Sequence, residues 1–114
     1  HHCQDEVAVL RHAFAALRPG GHILLVEPDW FHEFGGSARR DRAHYGTTER
    51  GMGWGRMTRA LRTAGFVSPE RFYSSQGTFG RSPLQRLRAV VVAALTVTSG
   101  YPHRSVIGLA SKPG

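Results

Sequence analysis

The stretch AALRPGGHILLVEPDWF, residues 15–31, constrains the fold more than any other part of the chain. Pro19 cannot continue a helix, and Gly20 or Gly21 can take the left-handed conformation that closes one, so RPGG is a stop signal with a mechanism. Upstream, Val7, Leu10, Phe14 and Leu17 recur at helical spacing over residues 5–17, with Arg11, His12 and Arg18 off that stripe, which predicts an amphipathic helix. Downstream, HILLVE is apolar without alternation, the pattern of a strand buried on both faces by helices. A helix that stops directly before such a strand predicts a layered α/β fold, with residues 22–27 at or near the centre of the sheet.

The segment 28–50 shows no clear periodicity and holds Asp29, Gly35, Gly36, Asp41 and Gly46, so a long connection is expected there. Connections of that length tend to carry function. Helical spacing returns at Trp54, Met57, Leu61 and Ala64, and Gly65 occupies the expected left-handed cap before Phe66. RFYSS, residues 71–75, reads as a short strand. SPLQ then announces a helix: Ser82 caps, Pro83 suits the first helical position and Gln85 completes a capping box. Its stripe is Leu84, Leu87, Val91, Ala94 and Leu95, with Gly100 and Pro102 ending it, and its nearly all-apolar second half is expected to pack on the sheet, with an acceptor pocket or a partner interface as the alternatives. SVIGLAS, residues 105–111, is rich in branched residues and reads as a last strand. The prediction is therefore α/β, with about three strands and three helices in one domain over residues 1–114.

Composition narrows the classes. With 40% hydrophobic and 20% charged residues the chain is in the globular range, and a single cysteine, Cys3, excludes an internal disulfide framework and fits a reducing compartment. The longest apolar run, AVVVAAL at residues 89–95, is far short of the roughly 18 residues a membrane span needs, and no basic-then-apolar leader is seen. A cytoplasmic protein without membrane contact is expected. The 15 Lys+Arg against 8 Asp+Glu give +7, all but Lys112 being arginine. These arginines are scattered and read as solvated helix faces, and only RRDR at residues 39–42 forms a run. Nucleic acid is not the expected partner. The alternative reading is a basic module whose RRDRAHYG segment and aromatic neighbours hold RNA or another polyanion.

HHCQDEVAVLRHAFAALRPGGHILLVEPD resembles the second half of class I S-adenosylmethionine-dependent methyltransferases, whose pattern runs from an LHHC-x-D segment through a helix to LRPGG-x-LLIVEP. TERGMGWGRMTRALRTAGF is similar to the helix those enzymes place next, ending in an AGF turn before their sixth strand. The resemblance covers about residues 1–75 and, more loosely, the last strand. It implies a partial Rossmann-like methyltransferase sheet in which residues 22–27, 71–75 and 105–111 are the family's fifth, sixth and seventh strands. The seventh then inserts antiparallel between the other two. It also implies S-adenosyl-L-methionine as cofactor, a small-molecule acceptor, and a missing N-terminal half or a pairing chain as partner. The family's glycine-rich turn after its first strand, and the ribose-holding acid after its second, are not found in this sequence. GMGWG, residues 51–55, follows a polar segment and lacks the strand-turn-helix context that gives such glycines a phosphate or cofactor role. The expected function is that of the C-terminal part of a methyltransferase, inactive alone.

Ligands of open α/β sheets bind outside the carboxyl ends of the strands. Glu27, Pro28, Asp29 and Trp30 stand at such an end, and the resemblance implies that His1, His2 and Cys3 stand at another, beside the methyl donor. His2 is the candidate cofactor contact or base, because an imidazole titrates near neutral pH; the alternatives are that it caps or packs under the adenosyl group or is only an exposed end residue. Glu27 either orients a substrate group or pairs with an arginine such as Arg56. Trp30, Phe31, His32, Phe34, His44 and Tyr45 make an aromatic, histidine-bearing segment suited to covering an acceptor. Glu49 resembles a position the family uses where loop meets helix, with simple capping as the alternative. The expected substrate rim is thus Glu27, Trp30, His32, Tyr45 and Glu49. His32, Glu33 and His44 repeat no known ligand spacing, so no metal is expected, and Cys3 has no third group to support a nucleophile. A third reading is a non-catalytic pairing partner whose open sheet edge another chain completes.

Overall fold

In the computed structural model, which describes residues 1–75, 78–97 and 105–114, Asp5 opens helix α1 (Glu6–Ala16) by accepting the Ala8 N–H at 2.9 Å. The stop falls at RPGG: Leu17 leaves helical geometry and Gly20 takes φ +72°. The chain's one lysine completes this end. Lys112 Nζ donates to the carbonyls of Phe14 and Leu17 at 2.8 and 2.7 Å, placing a cation at the negative pole of the helix.

Strand β1 (His22–Pro28) follows, then a 3-10 turn over Trp30–Phe34, α2 (Gly36–Tyr45), α3 (Trp54–Ala64), β2 (Val67–Ser75), the short β3 (Thr78–Gly80), α4 (Pro83–Val97) and β4 (Ser105–Ser111). Among the described residues the sheet has four strands in the order β1-β4-β2-β3, and every pairing is antiparallel. Leu109 of β4 stands opposite Leu24 of β1 on one side and Glu70 of β2 on the other; Ile107 stands between Val26 and Phe72. The register between β2 and β4 shifts between Val67 and Glu70, where Ser68 takes φ +50°.

The core lies between one face of this sheet and helices α1 and α3. Met57, Ala60, Leu61 and Ala64 of α3 are buried with Leu10, Phe66, Val106 and Ala110, and Phe14 meets Phe66 edge-on at 5.1 Å. Gly108 lets α3 approach closely, since a Cβ there would lie 2.7 Å from Met57 Sδ and 3.0 Å from Trp54 Cζ3. Arg56 is no solvated surface cation. It donates through Nε and Nη2 to the two Glu6 oxygens at 2.8 and 3.0 Å, tying α3 to α1.

The mixed α/β class is as expected, but its details differ. Among the described residues four helices and four strands stand where about three of each were predicted, and β3 adds a strand beyond β2, so the order differs from the three-strand sheet expected. Residues 28–50 are not a bare connection, for they hold the 3-10 turn and α2. GSARRDRAHY buries Ala38 but carries no apolar stripe, so its periodicity is invisible. β1 is not covered on both faces: Ile23 and Leu25 pack against the core, whereas Leu24 and Val26 are 62% and 54% exposed. It is also an edge strand among the described residues. In α4 the Ser82 cap forms, its Oγ accepting the Gln85 N–H at 3.1 Å, yet Leu84, Leu87 and Val91 are exposed and Gln85 is buried. The expectation that the helix's second half packs on the sheet rests on the side chains of residues 92–97, and beyond Val91 none of these is described. The stop at Gly100 and Pro102, and the side chains of Ala94 and Leu95, lie outside the described residues. Among those residues no helix is long and apolar enough to cross a membrane.

Candidate functional site

Three segments far apart in sequence meet at the carboxyl end of β1. Residues 47–52 run between 1–3 and 28–30 and are bonded to both: the Met52 N–H donates to Pro28 O at 2.8 Å, the Arg50 N–H to His1 O at 3.3 Å, and Thr48 Oγ1 to His1 O at 2.8 Å. Gly51 makes this crossing possible. A Cβ there would sit 2.2 Å from Asp29 O and 2.4 Å from Trp30 Cα, both main-chain atoms that cannot swing aside. The first glycine of GMGWG therefore serves a close passage of two backbones, and Gly53 is the N-cap of α3.

The crossing delivers Glu49 into the interior at 1% exposure, with φ +43°, a region disfavoured for residues with a Cβ. Its carboxylate is held from several sides. Oε1 accepts from Thr47 Oγ1 at 2.8 Å and lies 2.7 Å from His2 Nδ1, while Oε2 lies 3.0 Å from His32 Nε2. Burial pushes the Glu49 carboxyl up, but the hydrogen bonds from His32 and Thr47 and the charge of the two imidazoles outweigh it, and its pKa lies below the ordinary carboxylate value. No lysine or arginine pairs with Glu49 among the described residues. Beside it, His1 Nδ1 is 2.9 Å from Glu27 Oε2, and the His1 ring lies 3.9 Å from that of His2 and 5.3 Å from that of His32.

The result is a cluster of three imidazoles and two carboxylates, of which Glu49 is buried and His2 is open to solvent. A carboxylate behind an imidazole fixes the ring and selects which nitrogen carries the proton. Such a cluster can pass a proton to or from a bound molecule, or hold a cation.

Of the residues singled out in the sequence, His1, His2, Glu27, His32 and Glu49 are brought together here. Cys3 is half-buried, its carbonyl 3.5 Å from Thr48 Oγ1. Trp30 follows the crossing but is half-exposed and edge-on to Phe34, and Tyr45 is exposed at the end of α2, edge-on to His44 rather than to the cluster. The Phe31 side chain lies outside what is described. Glu27 pairs with His1 and not with Arg56, which Glu6 engages. Glu49 is not a simple helix cap, because α3 begins at Trp54 with Gly53 as its cap. Sequence reasoning missed Thr47, Thr48 and Gly51; the TTE triplet, two hydroxyls ahead of a carboxylate, was the available signal.

Comparison with known protein families, with curated proteins and with solved structures finds no match to this chain.

Proposed function

We propose that residues 1–114 form the C-terminal part of an S-adenosylmethionine-dependent methyltransferase acting on a small-molecule acceptor, without activity by themselves. The observation that carries this reading is the convergence of His1, His2, Glu27, His32 and Glu49 at the carboxyl end of β1, the rim where open α/β sheets take their ligands. Two features of the sheet support it. β4 runs antiparallel between β1 and β2, the placement implied for the family's seventh strand. β1 also leaves an open edge and an apolar face at Leu24 and Val26, as a strand does when its next neighbour belongs to another part of the protein.

The residues present do not make a complete cofactor site. Gly51 is committed to the backbone crossing, and among the described residues no other glycine turn follows an apolar strand into a helix, so these residues take no step on the methyl donor. What these residues supply is the acceptor side. His2, exposed and held through Nδ1 by Glu49, is placed to take the proton of an acceptor O–H or N–H, while Glu27 orients His1 beside it.

The test is to sequence the message upstream of the His1 codon. The expected in-frame product contains an apolar strand, a Gly-x-Gly turn entering a helix, and an acid after the following strand. An upstream product without that pattern would contradict the reading.

A further inference from the structure

We propose that His1, His32 and Glu49 form a binding site for a divalent transition-metal ion. One ligand atom from each of the three lies within 4.8 Å of the others, from segments with no common spacing in the sequence. The His32 Nε2 to Glu49 Oε2 separation of 3.0 Å is close to the roughly 3.3 Å between two ligands bound tetrahedrally at about 2.0 Å to one ion. Glu49 is 1% exposed and its ion-pair partners among the described residues are imidazoles alone, groups that bind a metal in their neutral form, so a bound cation takes over the compensation of the buried carboxylate.

The surroundings fit the same assignment. Glu27 holds the His1 ring through Nδ1 at 2.9 Å, as outer carboxylates orient metal-binding imidazoles. Thr47 donates to Glu49 Oε1 at 2.8 Å and steadies the carboxylate. Two imidazoles and one carboxylate suit zinc, iron, cobalt or manganese rather than magnesium or calcium, whose ligands are oxygen. Three protein ligands leave positions for water or a substrate oxygen. This site stands on the geometry of the cluster and holds whether or not the chain belongs to a methyltransferase.

The experiment uses the protein with at least one residue ahead of His1, so that no free amine adds a ligand. It is freed of metal with a chelator and titrated with Co²⁺ alone, followed by visible absorption, with circular dichroism in parallel. The expected result is saturation at one equivalent, with the absorption of a four- or five-coordinate ion and displacement by Zn²⁺. His32→Ala should abolish that absorption, Glu27→Gln should weaken binding about tenfold, and His44→Ala should leave it unchanged. Absence of saturable uptake overturns the proposal, and so does uptake that is undiminished by His32→Ala. Neither result depends on binding of S-adenosylhomocysteine, so failure here is distinguishable from failure of the methyltransferase reading.

Discussion

A carboxylate at 1% exposure on a backbone with φ +43° persists only where its neighbours over-determine it, and Thr47, His2 and His32 do that for Glu49. Glu6 is the simpler case, a carboxyl held below its ordinary value chiefly by the hydrogen bond from Arg56. Because the folded value is lowered, the stabilisation is fully present above the unfolded value near 4.5 and is lost as pH falls through the lower folded value. The pair is partly exposed, so it contributes at most about 1 kcal/mol. In urea melts at neutral pH, Glu6→Gln should lower stability by about that amount. The gap to the parent should close as the solution is acidified; a gap independent of pH would show that the pair contributes nothing. At this scale the sequence points to His1, Glu27 and Arg56 but not to their partners, and it gives no sign of Glu6. Glu6 meets Arg56 across 50 residues, and His1 meets Glu27 across 26, distances over which no local rule acts.

At the scale of elements, helix and strand boundaries were legible wherever the signal is local chemistry, as at Asp5, RPGG, Gly65 and Ser82. What failed was inference about cover. An apolar run such as HILLVE tells which faces are able to be buried, not whether this stretch of chain buries them, and Leu24 and Val26 remain exposed. The crossing at residues 49–52 was illegible for another reason: a glycine for close backbone approach looks in sequence like a glycine for a phosphate. Two substitutions in GMGWG separate these roles. Gly51→Ala drives a Cβ into the main chain of Asp29 and Trp30 and should cost about 3 kcal/mol, whereas at Gly53 there is open space and φ −82°, and Ala should cost under about 1 kcal/mol. Urea midpoints compare them directly. Equal losses would contradict the crossing.

The whole molecule is a slab of 45 × 39 × 20 Å, with a Cα radius of gyration of 15.1 Å against about 13.3 Å for a compact chain of this length. The uncovered side chains agree with that shape: Leu24 and Val26 on β1, and Leu84, Leu87, Val90 and Val91 on α4, are all exposed. Under the proposed function, further polypeptide extends the sheet beside β1 and covers these side chains. Calorimetric titration with S-adenosylhomocysteine, of residues 1–114 and of the longer chain read from the message, tests this most directly. The expected result is micromolar binding by the longer chain and no saturable heat from residues 1–114 alone. Binding by the short chain, or none by the long one, would contradict it.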